Sequence, residues 1–144
     1  MLCGIRAAQL SSAIVKRLNK FELRRPSIHD ILDTMAELED MLQKLRASFP
    51  AFLSTGLCSP QVALPASVHA DGFLFLLFTY HASVILVHSI LVYPWNTARL
   101  RVTAAERSSL ESQIAQSSEK CVGAARIMLQ QLSGVNITPS TPKS

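Results

Sequence analysis

A stretch of 27 residues without a charged side chain separates Asp71 from Arg99. Inside it, the 21 residues 73–93 read FLFLLFTYHASVILVHSILVY. A helix rises ~1.5 Å per residue and a bilayer core takes about 20 apolar residues, so this run is long enough to span a membrane. It could equally be the central helix of an all-helical domain. The run therefore decides whether the sequence encodes a membrane protein or a soluble one.

Two histidines in the run favour the soluble protein. His81 and His88 lie seven residues apart, which places them about 20° apart on one face of a helix. Imidazoles that face lipid are costly, whereas inside a protein each ring finds a carbonyl or hydroxyl partner. We expect other helices to cover this face, which also carries Leu74, Leu77, Phe78, Ile85 and Val92. Arg99 and Arg101 satisfy the positive-inside rule, so a single-pass membrane protein anchored by 73–93 is the alternative.

The composition points to a packing or docking piece. Of the 144 residues, 49% are hydrophobic and 17% are charged, which is more apolar than an ordinary small domain. A chain of this size buries a limited share of its surface, so part of the apolar surface is expected to meet a partner or a neighbouring domain. The formal charge of +4 comes from scattered lysines and arginines. That distribution is not the footprint of a nucleic-acid-binding protein.

The sequence contains no motif for catalysis, a cofactor or a metal. The three cysteines, Cys3, Cys58 and Cys121, lack a C-x-x-C spacing, which excludes a cysteine-based zinc site within the chain and predicts reduced thiols. Nucleophile motifs, phosphate-binding glycine loops and metalloprotease signatures are absent. About 10.5 Å of helical rise separates His81 from His88, too far to share a metal, so both are predicted to be core residues. We therefore expect no enzymatic activity.

Helical spacing predicts two helices in the first half of the chain. The first covers about 3–20 and is followed by a surface turn over 22–26. The second starts at the capping box of Ser27 and Asp30 and is closed by Pro50. Its apolar stripe predicts packing inside a bundle, with a dimerising coiled coil as the alternative: Ile28, Ile31, Met35, Leu38, Leu42, Leu45 and Phe49. Residues 51–70 are predicted to be a long irregular connection.

Two further helices complete the prediction of an all-α fold, a bundle of about four helices that belongs to a larger helical domain. The fully buried central helix covers about 72–93, and Pro94 and Trp95 end it. Thr103 and Glu106 cap the fourth helix, Gly134 stops it, and a break near residues 117–118 is an option. Its stripe consists of Leu110, Ile114, Cys121, Ala125, Met128 and Leu132. Residues 135–144 form a predicted disordered tail.

Three short blocks follow one another in a recognisable order: Tyr80-His81, then Val84-Ile85-Leu86-Val87-His88, and later Cys121-x-x-Ala124-Ala125-Arg126. This order resembles the middle homology region of fungal-specific transcription factors. In that family a long apolar helix carries a Tyr-His pair and a Leu-His-Arg-Pro block, and a later helix opens with Cys-x-x-Ala-Ala-Arg. Upstream, 28–50 resembles a family helix that ends near a Leu-Pro element. The likeness covers about 27–132.

Two differences from that family bear on function. Ser89 and Ile90 stand where the family usually has Arg and Pro, which puts the usual arginine contact and helix bend in doubt. The six-cysteine binuclear zinc cluster, with which full-length members bind DNA, is missing. The chain therefore cannot bind DNA in that way.

The resemblance implies that 1–134 are a regulatory-domain fragment of a nuclear transcription factor. It would act through contacts with other domains of the same or a partner transcription factor, with a homodimer as a further option. It would have no cofactor, no membrane contact and no sequence-specific DNA binding of its own. The residues of the family blocks are implied to be structural rather than ligand-binding: Tyr80, His81, His88, Cys121, Ala124, Ala125 and Arg126.

Overall fold

The computed structural model describes residues 2–24, 26–56, 66–67, 69–93 and 101–133. These residues form six helices: α1 (Leu2–Leu23), α2 (Ile28–Ala47), α3 (Ala51–Gly56), α4 (Ala70–Val92), α5 (Ala104–Ser109) and α6 (Glu111–Ser133). The described part contains no strand. The predicted all-α bundle is therefore confirmed. Its four long helices, α1, α2, α4 and α6, correspond to the four predicted ones.

Helix α4 is the centre of the bundle, and α1, α2 and α6 pack around it. Contacts at both ends fix the directions. Helix α2 runs antiparallel to α4, since Phe49 lies against Tyr80 and Glu39 against His88. Helix α6 also runs antiparallel to α4, since Ser117 lies against His88 and Cys121 against Ile85. Helix α1 runs parallel to α4 because it is antiparallel to α2, with Cys3 near Ser48 and Arg17 paired with Glu37.

Two apolar clusters hold these helices together. The larger one joins α1, α2, α3 and α4 through Ala7, Leu10, Ile14, Leu38, Leu42, Leu45, Phe49, Leu53, Phe73, Leu77, Tyr80 and Val87. The smaller one joins the start of α2, the end of α4 and the α5–α6 junction through Ile31, Met35, Ile90, Leu91 and Leu110. The α2 stripe predicted from the sequence supplies members of both clusters. It packs inside the chain's own bundle, as predicted, and is not left free for a coiled coil.

Both predicted capping boxes are confirmed. The Asp30 N–H donates to Ser27 Oγ at 3.1 Å, and the Ser27 N–H donates to Asp30 Oδ2 at 2.9 Å. The same reciprocal pair joins Thr103 and Glu106 at the start of α5, at 3.3 and 2.8 Å. Each box satisfies two backbone donors that a helix start leaves without a helical partner. The sequence therefore located both helix starts correctly.

Several predicted boundaries are wrong. Helix α1 runs on to Leu23 instead of ending near Lys20, because no helix breaker precedes Pro26 and because Leu18 and Phe21 pack on the smaller cluster. The connection predicted over 51–70 contains α3, whose Leu53 is buried in the larger cluster. The predictions for Pro94, Trp95, Gly134 and the tail lie outside the described residues.

The fourth predicted helix is divided at a different place from the one proposed. The break falls at Leu110, between α5 and α6, because this side chain turns into the smaller cluster. Residues 117–118 lie within continuous helix instead. Leu132, predicted to lie on the buried stripe of this helix, is exposed, and the buried residues of α6 end at Ala124.

The central helix is not covered on every side, so the prediction that it is fully buried is wrong in part. Phe73, Leu77 and residues 87–91 are buried, but Phe75 is 59% exposed. Three neighbouring helices leave one side of α4 open over its N-terminal half. Helix α4 is also the one described helix long and apolar enough to cross a membrane by length and composition, and 44% of its most apolar window is buried.

Candidate functional site

A cluster of polar side chains joins three of the long helices, and we call it the polar node. It consists of Glu39 from α2, His88 from α4, and Ser117 and Lys120 from α6. His88 Nε2 lies 3.2 Å from Glu39 Oε1, and His88 Nδ1 lies 3.1 Å from Ser117 Oγ. Lys120 Nζ donates to the same Glu39 oxygen. One imidazole therefore links α4 to both of its antiparallel neighbours.

The local sequence explains why these residues meet. Glu39 follows Leu38 in the α2 stripe, so it lies at the edge of the buried face, where a carboxylate can reach both the interior and solvent. His88 lies within the buried stretch 87–91 of α4. Ser117 precedes Cys121 by one helical turn and shares its buried face, while Lys120 lies on the flank of α6 that faces α2.

The partners of His88 define the tautomer of its neutral form, and its pKa defines its protonation state. The Glu39 carboxylate only accepts hydrogen bonds, so Nε2 carries the proton, and Nδ1 accepts from the Ser117 hydroxyl. Burial holds the pKa of His88 below its usual value, Glu39 opposes this shift, and the charge of Lys120 adds to it. The ring is therefore neutral in the folded protein near pH 7, with both nitrogens bonded.

Serine, histidine and a carboxylate in contact invite comparison with hydrolase active sites. A catalytic serine must reach substrate, and a nearby oxyanion site needs donors that are free to bind it. Ser117 is 4% exposed and lies inside α6, where the backbone N–H groups are used by the helix. The arrangement therefore offers no nucleophile to a substrate. It can join helices, and it can respond to protonation.

A groove lies beside the polar node, between α2 and α6, with α4 as its floor. Its volume is about 450 Å³, within the range of ligand pockets, but it is open to solvent. Tyr80 and His81, the pair singled out in the sequence, lie on this floor. The Tyr80 ring packs edge-on against the rings of Phe49 and His81, with centroid distances of 6.2 Å and 5.3 Å. The other lining residues are Glu39, Leu42, Gln43, Arg46, Val84, Lys120, Ala124 and Ile127.

The structure brings the family blocks of α4 and α6 close together: Tyr80, His81 and Ala124 line the groove. Buried members come from both helices: Tyr80, His81 and His88 of α4, and Cys121 and Ala124 of α6. The Cys121 thiol lies 3.8 Å from the Ile85 carbonyl, and burial raises the pKa of this thiol. Ala125 is half-buried, and Arg126 is exposed and takes no part in the interface. The predicted burial of both histidines is confirmed.

Sequence reasoning missed three of the four residues of the polar node. The sequence pattern marks Ser117 only as the place of an optional break in the fourth predicted helix. A hydroxyl within an apolar stripe, in a chain with a histidine on another apolar helix, is a usable signal for a buried hydrogen bond. Glu39 and Lys120 gave no such signal, because 81 residues separate them and a glutamate beside a stripe resembles any other surface acid.

The described residues contain no group of three or more His, Cys, Asp or Glu side chains that could hold a metal ion. Cys3 and Cys121 are free thiols, the first half-buried and the second buried. Comparison of the chain with models of known protein families, with curated proteins and with solved structures finds no match. Any assignment of function therefore rests on the residues and their packing.

Proposed function

We propose that the chain is a helical regulatory domain, or part of one, of a fungal transcription factor. It acts in the nucleus through contacts with other domains of the same or a partner factor and catalyses no reaction. One observation supports the proposal: the Cys121 thiol of the later block lies 3.8 Å from the Ile85 carbonyl of the α4 block, and Tyr80, His81 and Ala124 line one groove. Blocks that follow one another in the sequence thus lie close together at the contact of α4 with α6.

The properties of the polar node support a packing role. His88, Ser117 and Glu39 satisfy one another and are not directed at a ligand. The bundle also exposes large apolar side chains on α4 and α6, such as Phe75 and Leu129. Exposed apolar surface of this kind marks contacts with other protein surfaces. A module that binds partners and performs no chemistry accounts for both features.

A reporter assay tests the proposal. The chain is placed between a heterologous DNA-binding domain and an acidic activation domain in yeast, and reporter expression is compared with that of a disordered Gly-Ser linker of equal length. We expect the folded chain to change expression several-fold. As a matched control, His88→Ala weakens the fold and should move expression towards the linker value. Equal expression from the chain and the linker would contradict a regulatory role.

DNA binding provides a second test, since a regulatory domain without a zinc cluster should not read bases. The purified chain should bind duplex DNA weakly, without sequence preference, and with an affinity that falls steeply as salt rises. Scattered lysines and arginines can contact phosphates but cannot select a base sequence without a positioned recognition element. A sequence-specific footprint that persists at high salt would contradict the proposal.

The membrane alternative is favoured by one observation, the apolar length of α4. Against it, insertion would pull α4 away from α2 and α6. Leaving those helices breaks the bonds of His88 and exposes the buried His81 and Ser83 to lipid, which is costly. Alkaline carbonate extraction of the expressed chain separates the two functions. We expect release into the supernatant, and retention in the pellet until detergent is added would favour the anchor.

A further inference from the structure

One side of α4 is not covered by the other described helices, and helical geometry shows which side it is. Val84 lines the groove beneath α2, and Phe75, nine residues earlier, lies about 180° around the helix from it. Phe75 therefore points away from α2. Gly72, Thr79 and Ala82 share this side at alternating spacings of three and four residues, and the structure leaves Gly72 and Ala82 exposed and Thr79 half-buried. We call these four residues the open strip.

Helix α6 extends the open strip on one flank. Lys120 faces α2, and Val122 lies about 200° further around α6, so it points to the side where the strip is open. Because α6 is antiparallel to α4, Val122 lies level with the Ala82 end of the strip and Leu129 with the Phe75 end. Val122 is 52% exposed and Leu129 is 67% exposed. On the other flank lies α1, where Ser11 contacts Ser83 at 3.3 Å and Val15, one turn further on, is 46% exposed.

We propose that the open strip is the interface through which two copies of this chain pair, with their α4 helices antiparallel about a two-fold axis near Thr79. In this register each Phe75 lies over the partner's Ala82, since both residues are on the same side of the strip and equally far from the axis. The two-fold repeats the contact, so one large side chain and one small one fill each other's space twice.

The sizes of the side chains along the open strip favour the antiparallel register. In a parallel pair, Phe75 would meet the other Phe75 and Ala82 the other Ala82, which crowds one end of the interface and leaves a void at the other. In the antiparallel pair, Gly72 lies within one residue of the level of the partner's Leu86, a half-buried side chain that packs on the core. The small residues of the strip are thus placed opposite large ones.

Charge supports a second copy as the occupant. From Gly72 to Val92, α4 carries no Asp, Glu, Lys or Arg, so the strip offers no ionic partner to a charged surface, and burying a charge against it would be costly. A complementary surface must itself be uncharged along the strip. The α4 helix of another copy meets this condition and is present wherever the chain is made.

The expected area indicates a weak dimer. The face of α4 from Gly72 to Leu86, which includes the open strip, is about 21 Å long at ~1.5 Å per residue, and three helices spaced about 9 Å apart make it roughly 20 Å wide. Two such faces bury on the order of 1,000 Å², near the lower limit of specific interfaces. We therefore expect association in the micromolar range.

Sedimentation equilibrium of the full chain, from about 1 to about 100 μM, tests pairing through Phe75 and Ala82. The wild type should show a saturable monomer–dimer equilibrium. Phe75→Ala and Ala82→Phe should each weaken it at least about tenfold, because the first opens a void and the second makes Phe75 collide with a partner's phenylalanine. Leu23→Ala is the matched control: Leu23 is 87% exposed at the end of α1, beyond the strip, and its loss should leave the equilibrium unchanged.

Mixing the two variants gives the sharpest readout. A copy carrying Phe75→Ala has an alanine at positions 75 and 82. A copy carrying Ala82→Phe has a phenylalanine at the same two positions. The two copies complement each other in the antiparallel register, so an equimolar mixture should form heterodimers with near wild-type affinity. The double variant with both substitutions should likewise pair with itself. Thermal unfolding at low concentration confirms that each variant folds. If Ala82→Phe does not fold, Phe75→Ala alone tests the interface.

Other results would overturn the proposal. A wild type that stays monomeric at every concentration would do so, as would dimers that both single variants leave intact, since another surface would then be responsible. Wild-type binding to phosphatidylcholine vesicles without self-association would assign the strip to lipid instead. A mixture of the two single variants no tighter than either variant alone would reject the open strip as the interface.

Discussion

The two halves of α4 are similarly apolar, yet their surroundings differ. Residues 87–91 of the C-terminal half are all buried, although they include His88 and Ser89. In the N-terminal half, Phe73 and Leu77 are buried while Phe75 between them is exposed. Burial along this helix therefore follows the number of neighbouring helices and not side-chain hydrophobicity. Polar residues occur in the buried half because hydrogen bonds compensate for their burial, and an aromatic residue remains exposed where no helix covers it.

Truncation of Leu77 and of Phe75, which point in different directions from one helix, tests this difference in burial most directly. Leu77→Ala should lower the free energy of unfolding by about 3 to 5 kcal/mol, because Leu77 is fully buried and its loss leaves a cavity. Phe75→Ala should cost less than about 1 kcal/mol. Denaturant unfolding at a concentration too low for self-association measures both. Equal losses would mean that the two sides of α4 do not differ in burial.

Removing His88 tests whether the buried half depends on its polar node. His88→Ala should lower the free energy of unfolding by about 2 to 4 kcal/mol, because packing volume is lost and Ser117 and Glu39 lose their shared partner. His88→Leu should fall between the wild type and the alanine variant, since it fills the space but makes no hydrogen bond. Urea unfolding of all three proteins gives the order.

A second measurement on the same variants distinguishes packing from ligand binding. If His88→Ala unfolded at the wild-type temperature but abolished binding of a metal or a partner protein, the histidine would be a binding residue. Isothermal titration with Zn²⁺ is a direct check for the metal. We expect wild type and variant to give the same result.

The next effect concerns Glu39, which binds His88 and Lys120 through one oxygen. Glu39→Gln keeps a carbonyl acceptor but removes the charge, so it should cost about 1 to 2 kcal/mol in stability. The matched control is its neighbour Asp40, whose pair with Lys44 at 2.6 Å is exposed to solvent. Asp40→Asn should cost less than about 0.5 kcal/mol. Similar losses would indicate that the polar node is no more than a surface ion pair.

The sequence predicted the features that depend on local patterns. The capping boxes at Ser27 and Thr103 marked two helix starts, and the α2 stripe from Ile31 to Leu45 indicated a buried face, because both signals lie within a few turns of chain. Seven-residue spacing placed His81 and His88 on one side, and both are buried. Helix type and inward faces were therefore readable from the residues alone.

What could not be predicted depends on which helices meet. The uniformly apolar pattern of α4 gives no direction, so nothing in it distinguished the open side at Phe75 from the buried side at Leu77. The partners of His88 come from residues 29 and 49 positions away, and contact between them follows from the packing of whole helices. The break at Leu110 likewise reflects a tertiary contact that overrides continuous local helix propensity.

The smallest expected effect is a dependence of stability on pH. It should arise from His88 in the C-terminal half of α4 and not from the N-terminal half. Burial lowers the pKa of His88 in the folded protein, with Glu39 opposing and Lys120 adding to the shift, so the unfolded chain binds a proton at higher pH than the folded one. The stability from neutral His88 is therefore complete above the unfolded pKa of about 6.5. It is lost as pH falls from there towards the lower folded pKa. Urea unfolding of the wild type at pH values between about 7.5 and 5.5 should show this decline, in a window that avoids most carboxylate titration. His88→Leu removes the titrating group and should flatten the curve, whereas Phe75→Ala, in the open half, should leave its slope unchanged. A wild-type slope that persists in His88→Leu would assign the dependence to other groups.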